Sequence, residues 1–482
     1  MLAVIHVLGS MLMMFSITYV LPVAASLIYS DGQFVDFVVA ALICLAAGLV
    51  VWASTRSHRR EMRSRDGFLL VSLAWVMMSA IATVPLLMAV PGLSFTDAFF
   101  ETMSGLSTTG ATVLVGLEDL PPSINLWRHA LNWYGGMGII VLAVAILPLL
   151  GVGGMQAYKA ETPGPIKDEK LTPRITQTAK ALWFVYFLIT VACILSLKFV
   201  GMGWFDAVCH AFAAMALGGF STYDASVGHF DSPAIEAVLI VFMLIAAMNF
   251  SRHFIAWQQK SLRTYLTDVE AGAMLLIIGL STLGVALFIW AHGVYPSFWT
   301  SLRHVAFNLV SIATDCGFVS QDYATWPVLA PMWILMLSCY CANTGSTGGG
   351  IKMIRTLVLF RQAARELLML VHPQAVTPVR VGGQVVQNQV VFAVLAFVVL
   401  YFGVVVVLTF ALLGSGLDFV SAFSAIIACI NNAGPGLGVV GPASNFQGLT
   451  DFQTWVCSLA MLLGRLEIFS FLVLFTPVYW RK

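Results

Sequence analysis

The chain has 482 residues, of which 59% are hydrophobic and 10% are charged, with a formal net charge of +1. Soluble domains carry roughly 25% charged residues, so this composition excludes an ordinary water-soluble protein and puts most of the chain in lipid. Spanning a bilayer takes roughly 20 apolar residues of helix. Ten such runs are predicted, at about 2–28, 34–54, 67–91, 128–150, 178–201, 233–257, 268–292, 328–355, 388–413 and 452–478. They are unbroken rather than alternating, which points to helices and away from a barrel. The first run ends near Val23-Ala-Ala-Ser26, which resembles a leader cleavage site. No Lys or Arg precedes it and it is too long for a leader core, so it is read as the first span. The eight cysteines show no disulfide or zinc spacing.

Charge orients the spans. The segments after spans two, four, six, eight and ten carry 20 of the 24 basic residues, including Arg56, Arg59, Arg60, Arg63 and Arg65 in one block. By the positive-inside rule that side, with both termini, is cytoplasmic. The opposite side holds 14 acidic residues, among them Asp31, Glu101, Asp224, Asp231 and Glu236, against Arg128, Lys198 and Arg303. A negative outer mouth concentrates cations.

After spans three, five, seven and nine comes a short apolar segment, then a glycine-bearing polar stretch. These run from Phe95 to Gly110, Phe205 to Gly219, Trp299 to Gly317 and Asp418 to Gly434. Asp97, Asp206, Ser301 and Asp418 are the predicted N-caps of the four segments. Each segment is too short to cross, so it reads as re-entrant, and non-helical backbone at that depth must line water or be buried in protein. The key glycines lie 109, 98 and 117 residues apart. The expected fold is an all-α integral membrane protein: four helix–pore loop–helix repeats around one central pore, behind two N-terminal transmembrane helices. The units are 1–66, 67–150, 178–257, 268–355 and 388–482.

The loop tips are Thr108-Thr109-Gly110, Leu217-Gly218-Gly219, Asp315-Cys316-Gly317 and Asn432-Ala433-Gly434. Potassium filters replace the ion's water shell with backbone carbonyls, and a central glycine permits the backbone angles this needs. These twelve residues are the candidate ion-binding set.

Span eight is interrupted by Ala342-Asn343-Thr344-Gly345-Ser346-Thr347-Gly348-Gly349-Gly350. It lacks the Gly-Lys-Ser/Thr ending of a nucleotide loop and no strand precedes it. Beyond it, residues 354–371 read as an amphipathic helix with Arg355, Arg361, Arg365 and Glu366 on its polar side. Span ten carries Arg465 in mid-membrane, where charge is functional by default, and Glu467 two residues on does not share its helix face. The broken stretch and Arg465 are the candidate gate.

The four single-glycine tips, the two extra N-terminal helices and the motifs Thr-Thr-Gly-Ala-Thr, Gly-Gly-Phe-Ser-Thr and Asn-Asn-Ala-Gly-Pro-Gly resemble the Trk/Ktr/HKT superfamily of potassium transporters, in its bacterial TrkH branch. The resemblance covers essentially the whole chain. It implies potassium uptake across the inner membrane through the tips above, with four glycines favouring potassium over sodium. It implies that Ala342–Gly350 is the intramembrane gating loop and that Arg465 points into the pore beside it. It also implies a homodimer with a cytosolic nucleotide-binding ring of TrkA type, while this chain carries no nucleotide cofactor and meets no nucleic acid. Asp315 departs from the family pattern, where a small or hydroxyl residue is expected. An ion-coupled carrier with its site at the broken helix is the competing reading. A membrane enzyme is a poor third, because the nine histidines are scattered.

Overall fold

A peptide group in hydrocarbon finds no water to bond, so a chain this apolar pairs its own backbone, here almost wholly in helices. The computed structural model describes residues 1–58, 64–141 and 175–481. Outside these lie part of the fourth predicted span (142–150), most of the connection after it with Lys159, Lys167, Lys170 and Arg174, the basic residues Arg59, Arg60 and Arg63, and Lys482.

Helix α1 (Leu2–Phe15), a 3-10 turn and α2 (Val20–Tyr29) form the first span, and α3 (Phe34–Thr55) packs along α1. Their backbones approach closely at two glycines. A methyl on Gly9 would lie 2.7 Å from the Trp52 nitrogen, and one on Gly48 would lie 2.8 Å from the Met13 nitrogen. Without a hydrophobic force between helices in lipid, such small-residue contacts are what hold them. Tyr19 joins the pair to the rest by stacking on Trp127 at 4.5 Å and donating to the Ile81 carbonyl at 3.1 Å.

Four groups of helices follow. The first is α4 (Ser64–Ala89), α5 (Phe95–Leu106) and α6 (Pro122–Val141). The second is α7 (Ile175–Phe199), α8 (Trp204–Ala216), α9 (Pro233–Ala246) and α10 (Phe250–Gln259), followed by the short α11 (Arg263–Leu266). The third is α12 (Val269–Ala291), α13 (Phe298–Ala313), α14 (Leu329–Ser338) and α15 (Met353–Val371). A two-stranded hairpin, β1 (Arg380–Val381) with β2 (Gln384–Val385), leads into the fourth: α16 (Asn388–Gly414), α17 (Phe419–Asn431), α18 (Asp451–Arg465), α19 (Phe469–Leu472) and the terminal α20 (Pro477–Trp480).

Among the described residues, six predicted spans are helices long and apolar enough to cross unaided: the first, second, third, fifth, seventh and ninth. Span eight breaks between α14 and α15, where its glycines predicted a break. Spans six and ten, expected unbroken, are sharply bent, by 94° between α9 and α10 and by 106° after Arg465. At the first bend the Asn249 side chain accepts from Ser251 N at 2.8 Å and starts a new helix. At the second, Glu467 and Ile468 both turn left-handed, and the Glu467 carboxylate reaches Arg355 at 2.6 Å.

Two local expectations are corrected. Only Asp418 caps its half-helix; the others begin three or four residues earlier, at Ser94, Gly203 and Ser297, because Phe95, Trp204 and Phe298 already belong to the apolar segment. The helix predicted over 354–371 forms, but Arg355 is not on its polar side. It is buried against Glu467, with its guanidinium 4.1 Å from the centre of the Phe397 ring.

Gly48→Val should therefore lower thermal stability in detergent by about 1–3 kcal/mol through overpacking. Gly279→Val on α12, with no atom within 4 Å of the added carbon, should leave the melting temperature nearly unchanged.

Candidate functional site

All four half-helices, α5, α8, α13 and α17, end in the same turn. Thr108, Leu217, Asp315 and Asn432 take left-handed φ of 56°, 53°, 64° and 57°. The next residue, Thr109, Gly218, Cys316 or Ala433, donates its amide to the carbonyl five residues back, at 2.8 Å in every case. This is the Schellman closure of a helix end. The key glycine then turns left-handed too, with φ of 78°, 65°, 91° and 87° for Gly110, Gly219, Gly317 and Gly434.

The four turns meet. A methyl on Gly110 would overlap the Gly218 carbonyl, and one on Gly219 the Cys316 carbonyl. A methyl on Gly317 would stand 2.5 Å from the Ala433 carbonyl oxygen, and one on Gly434 2.7 Å from that of Thr109. Each loop thus presses on the carbonyl of the next, and the fourth returns to the first. Of the twelve residues predicted as an ion-binding set, Thr109, Gly110, Gly218, Gly219, Cys316, Gly317, Ala433 and Gly434 make this closed ring, and Thr108, Leu217, Asp315 and Asn432 are the turn residues that precede it. On one side, all four key glycines line a cavity of about 80 Å³, with Thr112, Ser221, Tyr223 and Asp224 on its wall.

A buried ion pair supports the first loop. Arg128 Nε meets Glu101 Oε1 at 2.7 Å with both side chains about 1% exposed. Glu101 also accepts from Thr112 Oγ1 at 3.0 Å and Val113 N at 3.1 Å, while Arg128 donates to Ser221 O at 3.3 Å in the second loop. Other outer acids expected simply to make a negative mouth are likewise structural. Asp224 accepts from Gly116 N at 2.7 Å, Asp231 and Glu236 grip Arg303 at 2.8 and 2.7 Å, and Asp31 accepts from Ser123 N at 2.9 Å.

On the other side of the ring lies the stretch Ala342–Gly350. Thr347 Oγ1 donates to Met215 O near the end of the second half-helix, at 3.3 Å. A methyl on Gly348 would meet Thr314 O at 3.1 Å, and one on Gly349 would overlap Asn431 O, at the ends of the third and fourth half-helices. Arg465 completes the floor, donating to Thr347 O at 2.9 Å and to Gly135 O at 2.8 Å. Gly135 itself packs on Leu106 O, at the end of the first half-helix. The loop and the arginine therefore underlie all four quadrants. Arg465 has no ion pair among the described residues; it does not pair with Glu467, as expected, and Glu467 meets Arg355, a partner the sequence did not suggest.

The bend in span six has a role here. Asn343 N donates to Ala247 O at 3.2 Å and Phe250 N to Gly345 O at 3.1 Å, so backbone groups freed by the bend are taken by the loop. Glu270, not singled out from sequence, holds both ends of the loop region: its Oε1 accepts from Thr344 N at 3.2 Å and Ile354 N at 2.9 Å. The signal was a carboxylate just inside the seventh apolar run, where intramembrane charge is unusual.

A multi-pass helical membrane protein whose half-helices converge on one ring is the class that this fold defines. The chain belongs to the TrkH family of cation transport proteins, whose family profile matches residues 34–482. It is 46% identical over 485 residues to the Trk system potassium uptake protein TrkH of Salmonella typhimurium, covering 100% of this chain and 99% of that one. It is 39% identical over 481 residues to the Trk system potassium uptake protein TrkG of Escherichia coli, covering 99% of this chain and 98% of that one. The crystal structure of the potassium transporter TrkH from Vibrio parahaemolyticus superposes with a TM-score of 0.92 at 44% identity, over 100% of this chain and 99% of that one.

Removing one member of a buried ion pair strands the other. Glu101→Ala should cost about 3–5 kcal/mol of stability in detergent, whereas the exposed first-turn acid Asp451→Ala should cost about 1 kcal/mol or less. Equal melting temperatures for the two variants would contradict the assigned support of the first loop.

Proposed function

We propose that this chain takes up potassium across the bacterial inner membrane, with both termini cytoplasmic, through the ring of Gly110, Gly219, Gly317 and Gly434. The observation that carries this is the closed glycine-on-carbonyl ring. A ring that admits no Cβ brings backbone carbonyls together at one level, and carbonyl rings are how a protein replaces the water shell of potassium. The half-helices also aim their negative C-terminal ends at this level, which favours a cation. The names of the relatives and the basic bias of the opposite loops support the substrate and the orientation.

Ala342–Gly350 and Arg465 act as the gate. A fixed positive charge beneath the ring repels a passing cation. It is held by two carbonyls rather than a carboxylate, so its charge is not cancelled. The loop has irregular backbone, so its displacement does not require a helix to unwind. A homodimer regulated by a cytosolic nucleotide-binding ring is part of the same proposal, supported by the family resemblance; any nucleotide would belong to that partner.

Rubidium flux into liposomes holding only the purified protein tests the gate. Arg465→Ala should raise flux several-fold, Arg465→Lys should stay near wild type, and lower or equal flux through a folded Arg465→Ala sample would remove the arginine from the gate. For the ring, Gly110→Ser places a side chain on the Gly218 carbonyl and should reduce rubidium-over-sodium selectivity about tenfold or more, a change of roughly 1.4 kcal/mol. Unchanged selectivity in a normally expressed variant would count against the ring as the filter.

A further inference from the structure

Asp315 is the only carboxylate among the four equivalent turn residues; the others are Thr108, Leu217 and Asn432. It is fully buried. Its Oδ2 accepts the Gly349 amide at 3.0 Å, on the gate side of the ring. Its Oδ1 makes no hydrogen bond, and among the described residues no basic group lies within ion-pairing distance. Lys352, which follows the loop, commits its ammonium to the Gly348 carbonyl at 2.6 Å.

A second bare oxygen stands beside it. Asn432 donates its amide nitrogen to Thr109 Oγ1 at 2.9 Å and to Met461 O at 3.1 Å, which sets the amide orientation. That leaves Oδ1 without a donor, in a residue 1% exposed. This oxygen faces the same Gly349: a methyl there would meet it at 3.3 Å. Asp315 and Asn432 therefore each bring an oxygen, from the third and fourth loops, against Gly349. Thr108, at the equivalent turn of the first loop, is also buried with its hydroxyl oxygen unbonded. A carboxylate and an amide carbonyl, each with an oxygen that lacks a donor, are ligands for a hard cation. A buried carboxylate with one backbone donor, one bare oxygen and no ion pair within contact distance is disfavoured, and a bound cation relieves it.

We infer that Asp315 and Asn432 form a cation site on the gate side of the glycine ring. The site takes the potassium ion that leaves the ring and shares its carboxylate with the Gly349 amide of the closing loop. This rests on the potassium reading above but adds a site that the ring itself does not contain. It also makes the inner entrance asymmetric, because the second loop offers only Leu217.

The test is Asp315→Asn, which keeps an acceptor for Gly349 N–H and removes the charge. In proteoliposomes, the half-saturating rubidium concentration should rise about tenfold, with rubidium-over-sodium selectivity retained because the carbonyl ring is untouched. A half-saturation within twofold of wild type, in a sample with normal melting, overturns the site. If Asp315→Asn does not fold, Asp315→Thr is read in the same way. The melting temperature of purified protein titrated with potassium chloride against choline chloride gives a readout independent of flux. Wild type should be stabilised at lower potassium than the variant, and superimposed titrations overturn the site. Failure of wild type to pass rubidium at all would instead strike at the potassium reading, while the titration still decides the site.

Discussion

Each key glycine lies with its α-carbon against the carbonyl of the next loop, and that contact governs what surrounds it. With a Cβ at any of the four positions the ring could not close at this radius. Close approach in turn demands that each half-helix stop at the same depth and turn the same way. The left-handed residue and the 2.8 Å amide bond that recur four times meet that demand. Sequence at the turn is then free to vary, as Thr108, Leu217, Asp315 and Asn432 show, because backbone angles rather than side chains define the ring.

A ring of exposed backbone at membrane depth needs support that a helix does not, and the two sides supply it differently. On the cavity side the support is ionic. Glu101 and Arg128 are fully desolvated yet satisfy one another and two loops at once, which is the condition under which a buried pair holds its place. On the side of Ala342–Gly350 the support runs through backbone groups. The bend in span six frees an amide and a carbonyl that the loop takes, and Arg465 takes a carbonyl of the loop and that of Gly135. The bent span six and the break in span eight are thus one arrangement, in which each defect satisfies another.

The asymmetry among the loops has consequences for mechanism. The four turns share one backbone geometry, but the side chains beneath them differ. The floor is set by one loop of the third group and one arginine of the fourth, tethered through Glu270 to the first helix of the third. The hydrogen bonds that close the four turns lie within each loop and do not involve that floor.

Much of this was legible in the sequence. Unbroken apolar runs determined the helices, and four glycines behind short apolar segments marked the ring residues. The polar break at Ala342–Gly350 and the mid-span Arg465 marked the floor, because both are costly in lipid. What the sequence left open was everything set by long-range partners. The runs 233–257 and 452–478 look continuous, and they bend only where Asn343, Gly345 and Arg355 arrive from elsewhere in the chain to take up backbone or charge. Arg355 looked like a surface residue for the same reason, since its amphipathic pattern carries no trace of Glu467 or Phe397. The outer acids read as a mouth, but Asp224, Glu236 and Glu101 each have a partner far away in sequence. Local pattern determines which backbone a segment prefers in lipid; only the folded chain decides which polar groups meet, because those contacts join residues up to 416 positions apart.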